Sequence, residues 1–286
     1  MAVTVSFINM KGGVGKTTLA AQIAHASDKA GYKTLVVDLD PQSNISQSLL
    51  GPDRYVKYLE EGNPTVVQIF ERYLPASDEY ASTRPVDIHD VIIKNAGYRH
   101  NSNIDLISSR LEFSRSLKNP TGKERRLAKA LAKVHDQYDL IIIDCAPTES
   151  ILTEAAYFAS RYALVPVKPE FMATIGLPLL ARSIEEFKLE NDDHKLDICG
   201  ILFNHSSSYS DGPEGRESIS DVKDEAKKRN WYVFDSHLKY SASYPKSARE
   251  GAPLANTSHT RWHVSDNLSD VTEEFFSAIK LSEAGK

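Results

Sequence analysis

The sequence predicts an α/β protein, a doubly wound, mostly parallel sheet with helices on both faces. Three observations carry that reading. Four apolar, β-branched runs (residues 3–9, 34–38, 140–144 and 163–167) are each bounded by polar residues, as expected of strands buried on both faces. Helical patterns separate most of these runs, which is the grammar of parallel strands joined by crossover helices. A glycine-rich loop joins the first run to the first helix.

In chain order, Leu19, Ile23, Ala26 and Ala30 recur at helical spacing after the first strand, and Gly31 stands where a helix-ending glycine belongs. Residues 52–103 carry Pro64, Pro75 and Pro85 among polar residues and read as short helices and loops inserted between core strands. Residues 104–108 and 198–203 read as further strands. Helices are expected over 123–134, 175–189, 219–228 and 271–279. With 286 residues and 41% hydrophobic content, one large domain over 1–286 is expected.

A formal net charge of −5 argues against a surface coated in basic charge for tight, indiscriminate nucleic-acid binding, and leaves room for a local basic patch. Cys145 and Cys199 are the only cysteines, far apart and without the paired spacing of a metal site, so a reduced cytosolic setting is expected. No apolar run approaches the ~20 residues that span a bilayer, and the N-terminus passes into a strand without a signal-peptide layout. A soluble protein is expected.

The loop reads INMKGGVGKTT. Aligning the phosphate-loop pattern G-x-x-x-x-G-K-[ST] on Gly15, Lys16 and Thr17 places its first glycine at Met10, so the ordinary pattern fails there. The chemistry is nevertheless that of a phosphate cradle. Gly12, Gly13 and Gly15, with Val14 between them, let backbone N–H groups turn toward an anion, and the helix starting near Lys16 and continuing through Thr17 and Thr18 adds its positive end. Lys16 is expected to neutralise β- and γ-phosphate charge, and the Thr17 hydroxyl to ligate Mg²⁺.

LVVDLDPQSN delivers Asp38 and Asp40 to the carboxyl end of a buried strand, where α/β proteins collect ligand groups. A spacing of two points both side chains the same way if the strand continues. Asp38 is expected to hold a Mg²⁺-bound water and Asp40 to orient the attacking water. YDLIIIDCAPT brings Asp144 to another strand end as a second water-mediated Mg²⁺ ligand, whereas Cys145 beside it reads as a small packing residue.

The run K-G-G-x-G-K-T-T, with its extra Lys11, resembles the deviant phosphate-loop motif of the ParA/MinD ATPase family. That resemblance implies that Lys11 reaches across an ATP-dependent homodimer to the nucleotide of the opposite subunit, and so takes part in catalysis with Lys16 and Asp40. Pro41 and Gln42 match the family's first switch, and Pro147 its second at the D-x-x-P spacing, although Ala146 and Thr148 replace residues common in partition proteins. Asn204, after the strand 198–203, matches an asparagine that contacts adenine in related ATPases; forming a turn is its alternative role. VPVKPEFMATIGL resembles a later family segment and SAREGAPL the family's late loop near the nucleotide, so the likeness runs from Val3 to about Leu254.

Lys11 with DLDPQ favours the ParA branch, which moves DNA or protein cargo over the nucleoid. A MinD-like, membrane-cycling protein needs a basic amphipathic C-terminal helix, and residues 264–286 hold five acids against two lysines; no membrane partner is expected. A metabolic P-loop enzyme such as a ligase is the other alternative. The chain starts at the loop strand, so no N-terminal helix-turn-helix domain is expected. Non-specific double-stranded DNA binding is expected from Arg182, Arg216, Lys223, Lys227, Lys228, Arg229, Lys239, Lys246 and Arg249, with a solvated helix face explaining Lys227, Lys228 and Arg229 equally well. The resemblance further implies ATP and Mg²⁺ as cofactors, a ParB-like or adaptor partner that stimulates hydrolysis, and a cytoplasmic, nucleoid-associated location.

Overall fold

The computed structural model describes residues 1–71, 73–74, 84–97, 102–116, 122–206, 212–258 and 260–281. Pro75 of the expected insert and Glu283 and Lys286 of the C-terminal stretch lie outside the described residues. β1 (Val3–Phe7) leads through the glycine loop to α1 (Lys16–Lys29), and β2 (Thr34–Asp38) is followed by α2 (Asn44–Leu50), α3 (Pro52–Glu60) and α4 (Val66–Glu71). A short ribbon of β3 (Tyr73–Leu74) and β4 (Arg84–Pro85) precedes α5 (Ile88–Val91), β5 (Ile92–Ile93) and β6 (Ile104–Ile107). Next come α6 (Phe113–Ser116), α7 (Arg126–Leu131), β7 (Leu140–Asp144), α8 (Ile151–Ala159) and β8 (Tyr162–Val167). The chain then forms α9 (Met172–Glu190), β9 (Asp197–Ser206), α10 (Gly212–Lys228), β10 (Leu238–Lys239), α11 (Ser243–Glu250) and α12 (Trp262–Ala278).

Eight strands form one sheet in the order β10-β9-β8-β1-β7-β2-β6-β5, parallel except for the β5–β6 pair. The expected mostly parallel sheet is therefore present. Successive residues of a strand face opposite layers. Leu35, Val37, Ile141 and Ile143 pack into the layer holding α8 and α9, whereas Val36, Leu140 and Ile142 pack under α1 and α12. Gly31 lies at φ +87 just past α1, the left-handed conformation that ends a helix without a Cβ penalty.

Several boundaries differ from the sequence reading; α12 starts nine residues before the expected 271, and β9 extends through Asn204, which the sequence reading places after the strand. α7 is shorter than the expected 123–134, because Lys123 is buried in a salt bridge to Glu71 and the segment before Arg126 is turn. α10 begins seven residues earlier than expected, at Gly212-Pro213, where a proline in the first turn forfeits no helical hydrogen bond. β5 and β10 are two-residue edge strands held by pairing to β6 and β9.

The register fixes the site. Asp144 pairs laterally with Phe7 on one side and Asp38 on the other, so the carboxyl ends of β1, β7 and β2 stand together. The glycine loop leaves β1 at this point.

Candidate functional site

Gly12, Gly13, Gly15, Lys16, Thr17 and Thr18 line one wall of an open cleft of roughly 580 Å³ above these strand ends. Gly13 (φ +73) and Gly15 (φ +86) occupy the left-handed region, which opens the loop around the cleft. Val14 is buried behind the loop. Lys16 is almost fully buried, and its ammonium donates to the carbonyls of Asn9 (2.9 Å) and Lys11 (3.2 Å). Burial pushes its pKa below the usual lysine value, against the opposing pull of Asp144.

Asp40 also lines the cleft, and its Oδ1 accepts the Gln42 N–H at 2.9 Å. Asp38 behaves differently, because β2 ends there and the strand does not continue to Asp40. Its Oδ1 accepts the Asp40 N–H, and its Oδ2 accepts both the N–H and the hydroxyl of Ser46. Asp38 thus tethers α2 to the end of β2, and burial raises its pKa to about 7 despite those bonds. Asp144 is fully buried, and neither of its carboxylate oxygens accepts a hydrogen bond of ordinary geometry among the described residues. Burial and the adjacent Asp38 push its pKa well above the carboxylate range, with Thr17 and Lys16 pulling the other way. An orphaned buried carboxylate beside a second carboxylate and a threonine hydroxyl is a donor set that fits a hard divalent cation. Among the described residues no group of three or more His, Cys, Asp or Glu forms a metal cage.

Lys11 stands apart from the cleft. Its ammonium lies 2.5 Å from Glu170 Oε1, just before α9, and its N–H is held by Asn9 Oδ1. Asn204 lies behind the loop: its amide nitrogen donates to the Val14 carbonyl at 2.6 Å, and a Cβ on Gly15 would sit 2.0 Å from that nitrogen. In this structure Asn204 therefore braces the loop, and it is absent from the residues lining the cleft.

The basic residues divide. Arg249, grouped by sequence with DNA contacts, lines the nucleotide cleft with Ala248. Arg229 is bound to Glu225 and Glu185, Lys228 to Glu225, Arg182 to Glu186, and Lys246 donates to the Ser258 carbonyl. Arg216, Lys223 and Lys227 are exposed on α10, and their spacings of seven and four place them on one helical face. Lys239 is exposed at the sheet edge on β10.

The cleft also uses residues outside the expected catalytic, phosphate-binding and metal-binding set. Gln42, Asn44, Gln47, Ser48 and Pro52 form the wall opposite the loop, Pro147 closes one side, and Arg249 arrives from α11. The polar run after Asp40 signals the first group, and the resemblance of SAREGAPL to a family loop near the nucleotide is the signal for Arg249, which the sequence reading groups with the DNA contacts.

A family model described as an AAA domain matches residues 2–198. The chromosome-partitioning ATPase Soj of Treponema pallidum is 32% identical over 203 residues, 71% of this chain and 71% of its own. This chain belongs to the ParA-like partition ATPase family. Another relative, the cell division protein PomZ of Myxococcus xanthus, is 26% identical over 252 residues, 87% of this chain and 70% of its own. Apo McdA of Cyanothece superposes with a TM-score of 0.75 at 21% identity, over 96% of this chain and 100% of that one. Cobyrinic acid a,c-diamide synthase of Mycobacterium smegmatis, solved with an ATP analog and magnesium, reaches 0.68 at 24% identity over 87% and 92%. These structural likenesses show a shared fold. No helix among the described residues of this ParA-like chain is long and apolar enough to cross a membrane.

Proposed function

We propose that this ParA-like chain hydrolyses ATP as a positional switch: it dimerises on binding ATP, holds double-stranded DNA without sequence preference, and is released when a partner stimulates hydrolysis. The observation that carries this reading is the division between the two lysines. Lys16 is turned into its own loop, whereas Lys11 lies outside the cleft on Glu170, where it is available to a second subunit. Next to it, Phe171, Met172, Ile175 and Leu179 are exposed at the start of α9. An exposed apolar row of this kind beside Lys11 fits a face that another copy covers.

In this reading the glycine loop and Lys16 hold the phosphates, and Asp40 orients water through the carboxylate oxygen that Gln42 does not occupy. Thr17 and Asp144, with Asp38 behind them, hold Mg²⁺, which supplies neutralisation of phosphate charge. The stripe of Arg216, Lys223 and Lys227, doubled by dimerisation, contacts DNA phosphates. The cargo-bound partner is a ParB-like or adaptor protein.

A salt titration of DNA binding with ATP and with ADP tests the reading. About three phosphate contacts per subunit give a slope of log affinity against log salt of roughly −5 with ATP, and weak binding with ADP. Identical curves with the two nucleotides would remove the DNA switch and leave a metabolic P-loop enzyme on the same fold.

A further inference from the structure

A second cleft, of roughly 530 Å³, opens between the C-terminal half of α1 and α12. Leu254, Leu268 and Phe276 give it apolar walls. Gln22 lies in its floor with both ends of its amide committed, to Ser247 and to the N–H of Leu254. His25 is 7% exposed and lines the cleft. A neutral imidazole facing a cavity offers a donor and an acceptor to a ligand.

We propose that this cleft is a binding site for a compact, uncharged aromatic molecule carrying one hydroxyl, whose hydroxyl pairs with His25 and whose ring packs between Leu254, Leu268 and Phe276. The volume and the balance of apolar wall with one oriented polar group are those of small-molecule sites. Charge at the site favours a neutral occupant. Burial lowers the pKa of His25 to about 4, so the ring is neutral at physiological pH, with Asp28 as the opposing influence. Both Asp28 oxygens are already used by Ser102 and Asn103. At the rim, exposed Lys29 and Glu273 bring opposite charges. The aromatic preference follows from Phe276, which offers ring-to-ring contact beyond area burial. None of these groups belongs to the nucleotide cleft, so the inference stands independently of the proposed ATPase cycle.

The test uses phenol and toluene, which share a ring and differ in the hydroxyl. Each is titrated into the full-length protein while imidazole ¹H–¹³C correlations are recorded. Phenol is expected to shift the His25 resonance saturably and to bind about fivefold more tightly than toluene, the worth of one net hydrogen bond. In His25→Phe the two probes should bind about equally. Should that variant fail to fold, Ser269→Trp, at an exposed position of α12 on the cleft, blocks entry: the phenol shift should vanish while ADP binding persists. The absence of a saturable shift, equal affinity of the probes for the unaltered protein, or phenol binding that survives Ser269→Trp would each overturn the proposal.

Discussion

Lys11 Nζ lies 2.5 Å from Glu170 Oε1, and this contact holds the lysine on its own subunit. The pair is partly exposed, and Lys11 keeps the Glu170 carboxyl below its usual range. Lys11 therefore has an acceptor in the monomer and must exchange it to act on a nucleotide in a second copy. Lys16, a few residues on, is bound to backbone carbonyls of the loop itself. Two lysines of one short motif thus have separate partners.

Their variants should separate in the same way. Lys16→Ala removes the charge inside the cleft and is expected to abolish nucleotide binding. Lys11→Ala should spare ADP affinity while preventing ATP-dependent dimerisation. Calorimetry with ADP and light scattering with ATP measure the two; equal loss of ADP affinity in both variants would refute the separate role of Lys11.

Glu170→Gln weakens the acceptor that competes for Lys11. A partly exposed ion pair contributes ~0–1 kcal/mol and each dimer releases two such pairs, so the ATP-dependent dimer should form at protein concentrations lower by up to about 30-fold. Sedimentation across a concentration series reads the midpoint. Weaker dimerisation would mean that Glu170 serves the dimer and not the monomer.

Gly15→Ala and Gly12→Ala make a matched pair. Alanine at position 15 meets a backbone at φ +86 and the Asn204 amide 2.0 Å from its Cβ, whereas nothing lies within 4 Å at Gly12. Gly15→Ala is expected to cost roughly 1–3 kcal/mol of stability and Gly12→Ala little without nucleotide. Urea unfolding in the absence of nucleotide decides it, and equal midpoints would contradict the bracing role of Asn204.

Asp40 presents a choice between chemistry and architecture, since its Oδ1 also anchors the Gln42 N–H. Asp40→Asn keeps an acceptor for that bond, and Asp40→Ala does not. Both should retain Mg-ATP binding and lose hydrolysis by about 100-fold or more, with only the alanine variant losing loop stability, by ~1 kcal/mol. Near-normal turnover in Asp40→Asn would move the water-orienting role elsewhere.

How much of this site is legible in the sequence depends on how local its chemistry is. A loop that wraps an anion needs its glycines and lysine contiguous, so Gly12 to Thr18 can be read directly. Asp144 is legible because an apolar run delivers it to a strand end. The commitment of Asp38 to Ser46 is hidden, because it depends on how α2 folds back after β2 ends. Arg249 lies in SAREGAPL, which resembles a family loop near the nucleotide, but its own place in the cleft is set only when α11 packs beside α2. The strands β5 and β10 are too short to show a period and exist through pairing alone.

His25 sets an acid limit on the fold. Its pKa falls from 6.5 to about 4 on burial, so between these values the unfolded chain binds a proton that the native state refuses. Native stability is therefore complete above about pH 6.5 and falls as the pH drops toward 4. The charged groups around the ring are Asp28 and Lys29 of α1 and Glu273 of α12, and Asp28 is the one that moderates the shift. The depression corresponds to a loss of ~3 kcal/mol by pH 4. His135 and His205 are also depressed by burial, so total acid sensitivity exceeds that of His25 and the informative quantity is a difference. His25→Phe should flatten the stability profile between pH 6.5 and 4 relative to the unaltered protein while leaving the slope above pH 7 unchanged. Urea midpoints at half-unit pH steps measure this, and parallel profiles for the two proteins would show that His25 is solvated and charged at low pH in the folded state.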